Sequence, residues 1–342
     1  MILAEGRSAD AHYGKTARGV LRYGADPVVA ILDSTRAGET DGGIPVVASV
    51  NDAMCFNPTT ALVGVATTGG RFPPEWRGLL RSCIAKGLGL ESGLHEYITD
   101  DPELTELARR HGVELRDLRK PPKGLNVPTG ENLRVPASIV LTVGSDCGIG
   151  KMTVSLEFDR EARRRGLASV FVPTGQTGIA IAGWGISVDA VVADFIAGAS
   201  ERLVVEGAER GGRILWVEGQ GSLVHPAYAG VTLGLLHGSA PHVLVLCHLA
   251  GMTEIEDWPG HPLPSLSELV ELYERSSLPA RRAEVAAIAL NTRLLDEAAA
   301  REFIAETEEE TGLPADDPVR FGTARLTDAV LARLPAERLV PS

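Results

Sequence analysis

The chain has 342 residues, enough for two domains, and its composition, 44% hydrophobic and 23% charged, is that of an ordinary globular protein. Its 33 basic and 45 acidic residues give a formal net charge of −12 with no offsetting basic stretch, which excludes nucleic acid as the expected partner. The longest apolar run, "HVLVLCHLAGM", is too short to span a membrane, the N-terminus lacks a signal-peptide core, and four scattered cysteines form no CxxC pair, so a cytoplasmic protein with no membrane partner is expected.

In chain order, "PVVAILDS" reads as a β-branched strand ending at Asp33, and "TTALVGVATTGG" as a second strand. "PPEWRGLLRSCIAKGL" has helical spacing, with Trp76, Leu79, Leu80, Cys83 and Ile84 on one stripe before a glycine stop. "DDPELTELARRHG" predicts a helix capped by Asp100 or Asp101, with Pro102 in its first turn and Gly112 at its end. Strands alternating with helices imply a small parallel sheet. No G-x-G-x-x-G turn is present, so no dinucleotide is assigned. "RKPPKGLNVPTGENLRVP" has four prolines and no apolar period, as expected of a linker or surface connection. The expected division is an N-terminal domain over 1–120, a linker over 121–136 and a second domain over 137–342.

The second half opens with the strand "ASIVLTVGS", a glycine loop and the helix "KMTVSLEFDREARRRG". "ASVFVPTGQTG" reads as a strand and loop, "VDAVVADFIAG" as helical, and "GRILWVEGQGS" as a buried strand entering a polar loop. "PHVLVLCH" and "EVAAIALNT" are further strands, and "LLDEAAAREFIAETEEETG" is a long amphipathic helix. An α/β fold with a mainly parallel sheet follows.

"TVGSDCGIGKMT", Thr142–Thr153, carries the chemistry. Gly144, Ser145, Asp146, Cys147, Gly148 and Gly150 precede Lys151, which opens a helix. Glycines turn backbone amides inward, the helix N-terminus adds partial positive charge, and the lysine adds a full one, which makes an anion nest. In nucleotide hydrolases the residue after the lysine is Ser or Thr, whose hydroxyl ligates Mg²⁺. Here it is Met152, whose thioether is too soft for a hard cation. Thr153 is one residue late and points roughly 100° around the helix. Asp146 or Glu218 could hold a metal instead, but the reading favours bound phosphate without metal-assisted hydrolysis, as for coenzyme A.

The G-x5-G-K spacing and the "ILWVEGQGS" strand resemble dethiobiotin synthetase and related P-loop amidoligases. Across essentially the whole chain, "VVAILDSTRAG", "GSDCGIGKMT", "TGQTGIAIAG", "VEGQGSLVHPAYAG", "ALNTR" and "DPVRFG" resemble the DgcN-type D-glutamate N-acetyltransferase family, in which the Met of "GKM" is part of the pattern. The resemblance implies a Rossmann-like N-terminal domain and a P-loop NTPase-like C-terminal domain. It also implies acetyl transfer from acetyl-CoA to the amino group of D-glutamate, with no metal expected. A homodimer or higher homo-oligomer is the expected assembly.

Acetyl transfer to an amine needs a base, an oxyanion donor and cations for the substrate carboxylates. Base candidates are Glu218, His225 and Asp194, with Asp189 as a further one or a helix cap. Asp189 and Asp194, five apart on the expected helix, would lie roughly 140° apart, so at most one faces the site. Oxyanion donors would be amides of Gly219–Ser222 or of the glycine loop. Arg36 and Arg71 follow strand ends and are carboxylate candidates, with Lys15 and Arg18 behind them. Gln176, Thr177, Ser222 and Tyr228 are expected to line the substrate cleft. Asn291 stands where related enzymes read adenine, or is a turn asparagine. Cys147 could carry an acyl group, or be a small loop residue. The histidines form no H-x3-H or H-E-x-x-H pattern, so no zinc site is expected. Two other readings stay open: an ATP-dependent ligase or kinase, and a non-catalytic binder of nucleotide or CoA.

Overall fold

The structure is a computed structural model that describes residues 1–10 and 14–335. It divides into two compact units. The first comprises Met1–Pro121 and Gln176–Ser187; the second comprises Pro122–Gly175 and the chain from Val188 onward.

The first unit contains strands β1 (Ile2–Leu3), β2 (Ile31–Leu32), β3 (Thr40–Asp41), β4 (Ile44–Val47), β5 (Thr60–Val63), β6 (Gly89–Ser92) and β7 (Leu115–Asp117). They form one sheet in the order β3-β4-β2-β1-β5-β6-β7, parallel except for the β3–β4 pair. Helices α1 (Lys15–Tyr23), α2 (Val50–Ala53), α3 (Trp76–Ala85) and α4 (Pro102–His111) connect them. Asp101 caps α4 by accepting from the Glu103 and Leu104 amides, and Gly112 ends it at φ 66°. Strand β1 is central although only two residues long, because Gly64, the residue after β5, lets it and α1 close in. A Cβ there would lie 2.3 Å from Ile2 Cγ2 and 3.0 Å from Ala17 Cβ. The chain leaves β1 toward β2 and leaves β5 toward β6, in opposite directions. The crevice at the carboxyl ends of β1 and β5 is therefore a topological switch point.

The second unit is built on β8 (Ser138–Gly144), β9 (Ser169–Val172), β10 (Ile214–Val217), β11 (Val243–Leu249), β12 (Glu284–Asn291) and β13 (Ala315–Asp316). Their order is β13-β12-β11-β8-β10-β9 and every pairing is parallel. All residues of β8, β10 and β11 are buried, the continuous apolar pattern of a sheet covered on both faces. Phe158 stacks on Trp216 at 4.8 Å within the core. The helices are α5 (Lys151–Arg164), α7 (Ile196–Glu209), α8 (Ala229–Ser239), α9 (Leu266–Ser276), α10 (Glu297–Thr311) and α11 (Ala324–Leu331); α6 (Gln176–Ala182) belongs to the first unit. No described helix is long and apolar enough to cross a membrane.

Two local expectations change. The "TGQTG" stretch is not a loop throughout, because α6 starts at Gln176. "VDAVVADFIAG" is not one helix: Val188–Ala190 and Ala193–Phe195 are separate 3₁₀ turns before α7. Asp189 and Asp194 thus share no helix and the expected angular relation between them does not apply. Residues 122–136 are held on the second unit by buried Glu201. Its carboxylate accepts from the Thr129, Gly130 and Asn132 amides at 2.5, 2.7 and 3.3 Å. That cluster holds the Glu201 carboxyl below the usual range, the bonds outweighing the opposing effect of burial.

Candidate active site

The glycine loop connects β8 to α5 at the centre of the second sheet, with β10 on one side of β8 and β11 on the other. Gly148 at φ 64° and Gly150 at φ 118° adopt left-handed backbone, so the loop turns where side chains would strain it. Lys151 is buried and its Nζ donates to the Asp146 carbonyl at 2.6 Å, so the ammonium lies over the loop. Asp146 is fully buried and braces the turn. One carboxylate oxygen accepts from the Cys147 amide at 2.6 Å and the other from the Glu256 amide at 2.7 Å. Asn291 also braces it, its Nδ2 donating to the Ile149 carbonyl at 3.0 Å while its Oδ1 accepts from the Arg293 amide at 3.3 Å.

The loop after β10 closes against this turn because Gly219 has no side chain. A Cβ there would lie 1.8 Å from the Thr142 carbonyl oxygen and 2.9 Å from Lys151 Cδ. Ser222 is buried and donates to the Ser145 carbonyl at 3.0 Å. Glu218 is 4% exposed. Its Oε2 accepts from the Thr174 and Gly175 amides at 2.9 and 3.1 Å, so these bonds tie it to the loop after β9. Thr174 in turn donates its hydroxyl to the Glu218 carbonyl at 2.6 Å.

The structure brings Asp146, Cys147 and His225 together, with donor atoms within 4.8 Å of one another. His225 is buried, and its ring lies 4.5 Å from that of Tyr228 and 6.2 Å from that of Trp258. The Ala227 amide donates to His225 Nδ1 at 3.1 Å. An amide only donates, so Nδ1 is the acceptor and the neutral ring carries its proton on Nε2. His225 therefore offers an N–H, which suits a developing oxyanion and not, in this tautomer, the base role expected for it. A cysteine, histidine and aspartate are a zinc-type donor set. Metal on Nε2 would, however, require a proton on Nδ1, which the Ala227 bond opposes, and both Asp146 oxygens already accept amides.

Two residues escaped the sequence reading. Tyr273 on α9 donates to the Gly144 carbonyl at 2.7 Å and accepts from the Leu223 amide at 3.1 Å, joining two loops from beneath. Burial pushes its hydroxyl up to about 12. His248 on β11 meets the Ser145 hydroxyl through Nδ1 at 2.9 Å. Burial holds its imidazole down at about 4, against the opposing pull of Glu310. Neither stands in a motif, and only the fold places them under the loop.

Other expected site residues lie elsewhere. Asp194 is exposed on its 3₁₀ turn, and no hydrogen bond among the described residues ties it to the glycine loop. Arg36 is held by Ser8 and Glu39, at 2.9 and 2.7 Å. Gln176 and Arg71 line hollows of the first unit, and Thr177 is buried with its hydroxyl 2.9 Å from that of Thr16.

Two family descriptions match this chain. The "domain of unknown function (DUF1611_C) P-loop domain" covers residues 126–327, and the "(DUF1611_N) Rossmann-like domain" covers 33–121. The chain belongs to this family. The DUF1611 fold is shared with the crystal structure of a DUF1611 family protein from Anabaena variabilis. That protein is 41% identical, with a TM-score of 0.90 over 97% of this chain and 98% of that one. This DUF1611 chain is also similar to two proteins named D-glutamate N-acetyltransferase. The one from Tritonibacter scottomollicae is 36% identical over 336 residues, 97% of this chain and 98% of that protein. The one from a Pseudoalteromonas species is 35% identical over 287 residues, 84% of each. The Rossmann-like and P-loop expectations agree with these matches and with the two sheets.

Proposed function

We propose that this chain is an N-acetyltransferase that moves an acetyl group from acetyl-CoA to the amino group of D-glutamate. The observation that carries the reading is its likeness to two relatives of that name, over 97% and 84% of its length. The glycine loop supports the choice of donor. Gly148 and Gly150 open the amide nest, Lys151 supplies the charge, and Met152 replaces the magnesium-binding hydroxyl. Such a loop fits the phosphates of a carrier that is held and not hydrolysed.

In the reaction the deprotonated amine attacks the thioester carbonyl, the C–N bond forms, the C–S bond breaks, and the thiol leaves with a proton. Glu218 is the proposed base, with Asp194 behind it. His225 Nε2–H is the proposed donor to the oxyanion, alongside amides of Gly219–Ser222. The step uses no metal, in keeping with Met152 and the His225 tautomer. Asn291 belongs to the donor side of the proposal. Arg71, Gln176 and Tyr228 belong to the acceptor side, Thr177, Arg36 and Ser222 more weakly because all three are held by protein partners. A cytoplasmic homodimer or higher homo-oligomer completes the reading; four cysteines joined by no disulfide among the described residues fit the compartment.

Incubation of purified protein with acetyl-CoA and D-glutamate, followed by mass spectrometry, tests it. N-acetylglutamate is expected, and its absence over many hours would remove the assignment. The ligase alternative requires magnesium-dependent ADP release, against which Met152 stands.

A further inference from the structure

The first unit contains a cavity of about 490 Å³ at the carboxyl ends of β5 and β6. Its polar wall includes Thr16, Thr67, His95, Arg119 and Gln176. Arg119 is 7% exposed, an unusual depth for a guanidinium. Its Nε donates to the Gly93 carbonyl at 3.1 Å, which fixes the plane of the fork. Two glycines shape the hollow. A Cβ at Gly93 would lie 2.8 Å from Gln176 Cγ, and a Cβ at Gly70 would lie 2.3 Å from His95 Cδ2. Glycine at these positions lets the Gln176 and His95 side chains lie close along the wall.

A second hollow adjoins the first across Val65, Ala66 and Thr67, which line both. It adds Arg7 and Arg71, with the carboxylates of Glu5 and Glu75, at the switch point between β1 and β5, and Arg7 is paired with Asp10 at 3.4 Å. The crevice is thus lined by an oriented, buried guanidinium, Arg119, and by the exposed guanidinium of Arg71 beside the Glu5 and Glu75 carboxylates. A small molecule with two carboxylates can pair each with its own guanidinium there, and an amino group can pair with one of the carboxylates of the lining.

We propose that this crevice of the first unit is the subsite for the acidic amino acid, with Arg119 binding one carboxylate and Arg71 the other. The proposal rests on the acetyltransferase reading for the identity of the ligand, but not for its charge pattern. Arg119 lies in the segment after β7, where nothing in the sequence marked it as a ligand.

The test is equilibrium binding to the full chain by calorimetry with CoA present. The probes are D-glutamate and glutarate, which keeps the two carboxylates and lacks the amine. Wild type should bind both. Arg119→Gln and Arg71→Gln should each weaken both by roughly tenfold or more, the loss of one charge-assisted pair. CoA affinity should stay unchanged. Arg71 is exposed, so its variant should fold even if replacing Arg119 disturbs packing. Failure of wild type to bind either probe, or equal affinities in wild type and the Arg71 variant, would overturn the subsite. Binding with the expected losses but no acetylated product would keep the subsite and remove the acetyltransferase reading.

Discussion

At the scale of single residues, the glycine loop makes the sharpest claim. Lys151 is the one full charge in the loop that can meet phosphate, so Lys151→Ala should weaken CoA binding by about 1.5–3 kcal/mol, roughly tenfold or more, in a calorimetric titration. An unchanged affinity would mean that the nest holds something else. His225 is pinned as an Nε2–H donor by the Ala227 amide. Removing such a donor from an oxyanion costs about 10²–10³ in kcat. His225→Ala should show that loss with little change in KM, and a drop confined to KM would place His225 on the ground-state substrate instead. Glu218 has two roles to separate. If it is the base, Glu218→Gln should lower kcat by roughly 10²–10⁴. If it only holds the Thr174 and Gly175 amides, the variant should lose thermal stability and keep its kcat.

At the scale of elements, the site depends on loops drawn against one another. Gly219 brings the end of β10 onto β8, with no room for a methyl group beside the Thr142 carbonyl. Gly219→Ala should destabilise the protein by about 3 kcal/mol or more, read as a fall in its unfolding midpoint. Long buried elements are legible in the sequence. The β8–loop–α5 unit, β10 leading into Glu218, β11, β12 and the capped helix α4 follow from runs and caps that local chemistry dictates. Elements short enough to lack a period are not. β1 is two residues long yet central, because its place is set by Gly64 and by strand pairing. The break of "VDAVVADFIAG" into 3₁₀ turns and the start of α6 at Gln176 are likewise decided by packing. The same limit applies to the site. The loop residues and Glu218 stand in a motif, whereas Tyr273, His248 and Arg119 reach their places only through tertiary structure.

At the scale of the whole molecule, buried ionisable groups set how stability responds to acid. Asp33 is 1% exposed, and burial alone would raise its carboxyl. Hydrogen bonds from Ser8, Thr35 and Gly6 outweigh burial and hold it at about 2, below the ordinary 3.8. A depressed carboxyl stabilises the fold above its unfolded value, and that contribution is lost as the pH falls through about 2. His248 is held at about 4, below its ordinary 6.5, so the folded state resists its protonation and loses stability as the pH drops from 6.5 toward 4. Denaturant melts across pH should therefore slope in both windows. His248→Asn should flatten the upper one and leave the lower intact. The proposed role of the loop that His248 supports through Ser145 is to hold an acyl carrier without a metal. The most direct test is thiol release from acetyl-CoA, with D-glutamate, L-glutamate and D-aspartate in parallel, with and without EDTA. Turnover with D-glutamate that EDTA leaves unchanged is the predicted result. No thiol release, with magnesium-dependent ADP release when ATP replaces acetyl-CoA, would contradict it.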